Sequence, residues 1–328
     1  MPLKKIPKIS NRGSGVATPL HLVKGLLKGD KVALAKAISQ VENRSDGYKH
    51  LLREIFSHSR ESYRLGITGP PGAGKSTLVD KLAQRILAKG EKVGIIAVDP
   101  TSPFSGGAIL GDRIRMMELT GKEGLFIRSM ATRGSLGGLA RATNEVALLM
   151  EAFGIDYVII ETVGVGQVEL DIADAGDTTV LVLVPESGDS IQVMKAGLLE
   201  IADIIVVNKA DRQGAHGLVK ELKVVSELRQ KNNGWDYPIL MTEAVNDKGI
   251  DGLLQSILTH RRYLTNSGLF EVNRKRQIKS QLKAILEEKI REHLTLKENR
   301  LDEAVERIYK KEIDPFKIVD NLLAKRRR

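Results

Sequence analysis

The stretch Gly69-Pro70-Pro71-Gly72-Ala73-Gly74-Lys75-Ser76-Thr77 constrains the fold of this chain more than any other. It follows a short β-rich run, Arg64–Thr68, and precedes an amphipathic segment, Thr77–Ala88, so a strand, a glycine-rich turn and a helix are expected in direct succession. In such a turn the main-chain N–H groups point inward at an anion, and the helix N-terminus adds a favourable dipole. The spacing places Gly69, Gly72, Ala73 and Gly74 around a chain of phosphates. Lys75 is expected to reach the β- and γ-phosphates, the Ser76 hydroxyl to ligate Mg²⁺, and Thr77 to lie near the α-phosphate.

Around this loop, β-rich runs alternate with helical patterns. The strand candidates are Arg64–Thr68, Lys92–Val98, Leu125–Ser129, Tyr157–Thr162, Thr179–Val184, Ile204–Asn208 and Pro238–Thr242. Helical patterns lie at Thr77–Ala88, Leu139–Ala152, Ile191–Ile201 and Gly217–Gln230. Alternation of this kind implies βαβ units, hence an α/β domain with a mainly parallel sheet and helices on both faces. Apolar spacing through Leu22–Ile38 and Leu51–Ile55 predicts two short helices ahead of it. After Gly268 the pattern turns helical, with Ile278, Leu282, Ile285, Leu286 and Ile290, then Leu301, Ala304, Val305 and Ile308. Pro315 sets off a last short helix. The expected organisation is an N-terminal arm with helices over 1–60, a P-loop nucleotide-binding domain over 61–267, and a helical region over 268–328. The apolar stripe of that last region needs the core or a second copy to cover it, and dimerisation is the preferred reading.

A second motif, Asn208-Lys209-Ala210-Asp211, ends a strand candidate downstream of the loop. A carboxylate there can accept from both guanine N1–H and the 2-amino group, whereas adenine has an acceptor at N1 and no 2-amino group, so the pair of motifs points to GTP in a G domain. Asn208 can bridge the base and the phosphate loop, the Lys209 stem can cover the base, and Ala244, in the loop after the last strand, can offer its N–H to guanine O6. Three acids are placed to serve Mg²⁺ directly or through water: Asp99 and Glu161 at strand ends, and Asp112 after a glycine-rich passage. In Glu161-Thr162-Val163-Gly164, Gly164 is positioned to sense the γ-phosphate, with Gln167 beyond it as a candidate for orienting water.

Composition closes other routes. The chain has no cysteine, which excludes disulfides, thiolate nucleophiles and cysteine-held metal, and fits a reducing compartment. The net charge of +10 sits in the flanks: residues 1–60 carry 12 basic and 4 acidic side chains, and 271–328 carry 17 and 11. With only 4% aromatic residues, a base-stacking nucleic-acid surface is not expected, and the flanks read as solvated helices. No apolar run approaches membrane-spanning length. The acid-free first 28 residues read as a cytoplasmic arm, with a transit peptide, and hence the mitochondrial matrix, as the alternative.

Longer passages narrow the choice. They are Asp99-Pro100-Thr101-Ser102-Pro103; Gly106-Gly107-Ala108-Ile109-Leu110-Gly111-Asp112-Arg113-Ile114-Arg115-Met116; Arg133-Gly134-Ser135-Leu136-Gly137-Gly138; and Glu161-Thr162-Val163-Gly164-Val165-Gly166-Gln167. With Asn208–Asp211 they resemble the MeaB/ArgK family, the methylmalonyl-CoA mutase-associated GTPases, over about residues 20 to 265. The resemblance implies a homodimeric G-protein chaperone with slow intrinsic GTP hydrolysis. Its partner would be an adenosylcobalamin-dependent acyl-CoA mutase, whose cofactor loading it gates and which it protects or rescues. It places Lys75, Ser76, Asp99, Asp112 and Glu161 around phosphate and Mg²⁺. It also marks Asp189 and Lys195 as a third switch, with Arg115 as a contact. The chain departs from the family in Thr242-Glu243-Ala244, where a Ser-Ala pair is usual, and in Val168, where a small polar residue is common. Two rivals remain: a nickel-delivery GTPase, disfavoured by the missing cysteines and only six histidines, and a phosphotransferase linked to amino-acid transport, for which no acceptor motif is visible.

Overall fold

The computed structural model describes residues 19–100, 122–132, 138–162, 175–185, 197–228, 234–295 and 298–324. Three helices, α1 (Pro19–Leu27), α2 (Lys31–Glu42) and α3 (Tyr48–Phe56), precede the sheet, one more than the apolar spacing suggested. Asp30 supplies the reason for the extra break. Its carboxylate accepts from the Val32 N–H at 2.8 Å and starts α2 as a new helix rather than a continuation of α1.

Seven strands follow: β1 (Tyr63–Thr68), β2 (Val93–Pro100), β3 (Leu125–Thr132), β4 (Tyr157–Thr162), β5 (Thr178–Leu183), β6 (Ile204–Val207) and β7 (Ile239–Met241). They form one sheet in the order β3-β2-β4-β1-β5-β6-β7, and every pair of neighbours is parallel. The intervening helices are α4 (Lys75–Leu87), α5 (Gly138–Phe153), α6 (Leu198–Ile201) and α7 (Ala215–Leu228), and α8 (Ile250–Asn266) follows β7. Of the helix expected over Ile191–Ile201, residues 191–196 lie outside the described residues.

Strands β1, β4, β5 and β6 are buried along their whole length, as a parallel sheet covered on both faces requires. Their alternate residues feed different layers. Tyr157 and Ile159 join Leu65, Ile67, Val180 and Val182 beneath α4 and α8, while Val158 and Ile160 face α5 and the three N-terminal helices. Leu181, Leu183, Ile205 and Val207 pack with α6 and α7. The N-terminal helices are thus part of the main core. Polar ties reinforce this: Arg128 of β3 donates to Ser39 at 3.0 Å and pairs with Glu42, and Arg44 pairs with Glu145 of α5. Two compact units result, Met1–Gln277 and Ile278–Arg328. Helix α9 (Leu269–Thr295) is followed by α10 (Glu298–Tyr309) and α11 (Pro315–Ala324), with Pro315 at a first helical position, where its missing N–H is harmless. Among the described residues no helix is long and apolar enough to cross a membrane.

Near the amino ends of β1 and β5, the Thr178 hydroxyl bonds the Tyr63 hydroxyl and, at 2.7 Å, His260 Nδ1 of α8. Burial lowers the His260 pKa to about 4. The unfolded chain takes up this proton below about 6.5, whereas the folded chain resists it until about 4, so stability rises with pH across that window. At roughly 1.4 kcal/mol per unit, about 3 kcal/mol is expected to be lost between pH 6.5 and 4. Denaturant melts of His260→Gln against the parent check this: the variant's midpoint should fall less steeply as the pH is lowered, and equal slopes would remove His260 from the account.

Candidate nucleotide site

Because all strands run the same way, the carboxyl ends of β1, β4, β6 and β7 lie along one edge of the sheet. The loop after β1 is forced into its path by contacts that exclude a side chain. Gly69 has φ of 140°, and a Cβ there would lie 2.0 Å from the Val182 carbonyl oxygen of β5. Gly74 has φ of 83°, and a Cβ there would lie 2.5 Å from Asn208 Nδ2. Gly74 is also the N-cap of α4 and has no side chain to satisfy the first turn, so the N–H groups of that turn are left to a ligand. Ala73 is fully buried in the loop, Ser76 and Thr77 are half-buried at the start of α4, and Gly72 is exposed. Lys75 is buried, its ammonium donating to the Gly69 and Pro70 carbonyls at 2.8 and 2.9 Å.

Ser76 Oγ donates to Glu161 Oε1 at 2.6 Å, bringing the hydroxyl of α4 against the buried carboxylate at the end of β4. This pair of hard oxygen donors suits a small divalent cation, which takes hydroxyl and carboxylate ligands. Asp99 stands next to last in β2, in register with Ala131, and so belongs to the same carboxyl edge, with only its backbone described. Asp112, Arg115, Gly164, Gln167, Asp189 and Lys195 all lie outside the described residues.

Asn208, buried behind β6, joins the phosphate loop to the loop after β7. Its Nδ2 donates to the Ala73 carbonyl at 2.8 Å, and its Oδ1 accepts from Thr242 Oγ1 at 3.0 Å and from the Ala244 N–H at 3.1 Å. A fourth tie runs from the Ala210 N–H to the Thr242 carbonyl at 3.0 Å. The Ala244 amide, expected to meet guanine O6, is therefore given to Asn208. Lys209 is half-buried with φ of 55°, a left-handed backbone for a non-glycine residue, which turns the chain sharply between Asn208 and Asp211. Asp211 is exposed.

Sequence reasoning named Thr242 only as part of its loop. In the structure it is the hydroxyl that orients Asn208, and a threonine two residues before Ala244 was the available signal. Thr242→Val removes one neutral hydrogen bond, worth about 0.5–1.5 kcal/mol. Guanine-nucleotide affinity is expected to fall about two- to tenfold with fold intact, which titration calorimetry with GDP would register; unchanged affinity would show that Asn208 needs no such support.

Comparison with known proteins agrees with this architecture. A family model described as "Methylmalonyl Co-A mutase-associated GTPase MeaB" matches residues 34–299. A Pyrococcus abyssi protein provisionally named a GTPase is 46% identical over 308 residues, covering 92% of this chain and 95% of its own length. GTPase ArgK of Escherichia coli is 38% identical over 86% of this chain and 88% of its own. The mouse "Methylmalonic aciduria type A homolog, mitochondrial" is 35% identical over 83% of this chain and 70% of its own. Among solved structures, one titled as a LAO/AO transport system kinase superposes with a TM-score of 0.71 at 29% identity, covering 94% of this chain and 97% of that one.

Proposed function

We propose that this chain, which belongs to the MeaB family of mutase-associated GTPases, binds GTP with Mg²⁺, hydrolyses it slowly when alone, and uses the two nucleotide states to act on an adenosylcobalamin-dependent acyl-CoA mutase. The observation that carries the nucleotide reading is the Asn208 side chain, which ties the phosphate loop to both base-reading segments in one buried cluster. Lys75 and the first turn of α4 hold the phosphates. Asp211 reads the guanine edge, the Lys209 stem covers its face, and the Ala244 amide is shared between Asn208 and guanine O6. Ser76 and Glu161, with Asp99 and Asp112, would hold Mg²⁺, which would neutralise phosphate charge during hydrolysis. Gly164 senses the γ-phosphate and Gln167 orients water. Arg115, Asp189 and Lys195 carry the nucleotide state to the mutase. The role in gating cofactor loading rests on the family match, and the work is placed in the cytoplasm, with the mitochondrial matrix as the alternative.

Calorimetric titration with GTP, GDP and ATP, with and without Mg²⁺, tests the site: guanine nucleotides should bind and ATP should not. Following γ-labelled GTP separates two readings. Label released as inorganic phosphate supports hydrolysis; label transferred to a protein supports the kinase title of the matched structure. Hydrolysis accelerated by a co-purified acyl-CoA mutase supports the chaperone role, and equal rates with and without it count against that role.

The same reading includes a homodimer. Ile278, Leu282, Leu286 and Ile290 of α9 recur every four residues and are each at least 50% exposed, a stripe too apolar to favour water. Leu282→Glu combined with Leu286→Glu is expected to convert a dimer into a monomer in sedimentation velocity; a parent that already sediments as a monomer would remove this part of the proposal.

A further inference from the structure

At the sheet edge opposite the phosphate loop, four charged side chains form one largely buried network. Asp177, just before β5, accepts on Oδ2 from the Arg64 backbone N–H at 2.8 Å and from Arg274 Nη2 of α9 at 2.7 Å. Glu151, in the last turn of α5, accepts from Arg64 Nε at 2.9 Å and stands 3.7 Å from Arg274 Nη1. Arg274 Nη2 also donates to the Ser62 carbonyl at 2.5 Å, and Gln277 Nε2 donates to the Gly176 carbonyl at 2.8 Å. The first turns of α9 thus grip Ser62, Gly176 and Asp177 together.

Each gripped segment has its other end at the nucleotide site. Strand β1 runs from Tyr63, beside Ser62, to the residue before Gly69, about 20 Å at the usual strand rise. Residues 163–174, which include Gly164 and Gln167, connect Glu161 and Thr162 to Ala175, Gly176 and Asp177. Helix α5 returns from the carboxyl edge of the sheet to Glu151.

The network is balanced in charge, two cations against two anions, yet incompletely paired. Among the described residues, Asp177 Oδ1, Arg274 Nε and Gln277 Oε1 are buried without hydrogen-bond partners. Buried unmatched donors and acceptors in one cluster call for an explanation. Here they give the cluster a second way to pair: a small shift of α9 would exchange the single-oxygen contact between Arg274 and Asp177 for a two-oxygen fork at no loss of charge balance. Packed contacts of this kind switch between discrete arrangements rather than deform continuously.

We propose that Arg274 and Gln277 are positioning residues through which the start of α9 and the γ-phosphate state of the nucleotide site set one another across the sheet. This rests on the nucleotide reading above. Because binding linkage is reciprocal, loosening the grip at α9 must change how strongly the site distinguishes GTP from GDP.

Arg274→Lys keeps a positive charge beside Asp177, whose pKa burial raises and Arg274 opposes, but cannot form the fork. Gln277→Leu removes the Gly176 tie. In the full-length chain, affinities for GDP and a non-hydrolysable GTP analogue are measured calorimetrically. Both variants are expected to hold GDP within about twofold of the parent while the ratio of the two affinities shifts about fivefold or more. A purely structural role would lower the melting temperature and leave that ratio alone, and an unchanged ratio in both variants overturns the inference. Trp235, the one tryptophan of the chain, offers a second readout, since its ring centroid lies 4.7 Å from that of His260, which bonds Thr178 next to Asp177. Its fluorescence is expected to differ between the two nucleotides in the parent and to differ less in Arg274→Lys. If the variants do not fold, hydrogen exchange in the parent decides: amides of 175–178 and 270–277 should exchange more slowly with the GTP analogue than with GDP, and equal rates overturn the inference. A parent that binds no guanine nucleotide overturns the nucleotide reading and this inference together. Normal binding with unchanged ratios overturns this inference alone.

Discussion

Lys75→Ala is expected to weaken GTP binding by at least about a hundredfold. The ammonium is buried among the Gly69 and Pro70 carbonyls and sits at the base of the loop where the phosphates are proposed to lie. Two charge-assisted hydrogen bonds are worth roughly 3–6 kcal/mol together, and each 1.4 kcal/mol is a factor of ten. The fold should survive, because the core beneath α4 is built from Leu78, Val79, Leu82 and Ile86 and is untouched by the substitution, although the freed carbonyls belong to the buried Gly69 and Pro70. A melting temperature near the parent's, with no calorimetric signal from GTP or GDP, is the expected pair of results. GTP affinity close to the parent's in a folded Lys75→Ala protein would overturn the assignment of the loop to phosphate binding.

Asp211→Asn is expected to reverse base selectivity, moving preference from GTP to xanthosine triphosphate. In the proposed site the carboxylate would accept from guanine N1–H and the exocyclic 2-amino group; an asparagine side chain can instead donate to the 2-oxo group of xanthine. Two charged hydrogen bonds are again at stake, but Asp211 is exposed, so competing water places the loss near the lower end of the range, about a hundredfold in GTP affinity. Competition titrations of GTP, xanthosine triphosphate and ATP on the variant measure it. Selectivity equal to the parent's would remove Asp211 from base reading and leave Asn208 as a purely structural tie.

Much of the sheet was legible because buried parallel strands announce themselves as short apolar runs between turn residues. All seven strand candidates correspond to strands, with ends that agree to within three residues. The helices expected over Thr77–Ala88, Leu139–Ala152 and Gly217–Gln230 followed from the same alternation, while of Ile191–Ile201 only Leu198–Ile201 is helical among the described residues. The N-terminal region was read less well. Apolar spacing runs on through Gly29 and Asp30, and a capping carboxylate is what divides it into α1 and α2. The role of those helices in the main core was also hidden, since periodicity marks an apolar face without saying which surface covers it.

The composition of the site was written locally in the chain, whereas its connections were not. Glycine-rich spacing and a strand-ending Asn-Lys-Ala-Asp are matters of a few consecutive residues, so the primary structure alone determines the phosphate turn, the base-reading motif and the βαβ framework that presents them. Contacts between residues far apart wait on strand order. Only once β1 lies between β4 and β5 does Ser76 meet Glu161, 85 positions away, and Asn208 meet Ala73, 135 positions away. The same packing brings Arg274 to Asp177 across 97 positions. Such pairings cost chain entropy that local propensity cannot supply, and the burial of whole sheet faces is what offsets it; for that reason they were decided by the tertiary structure.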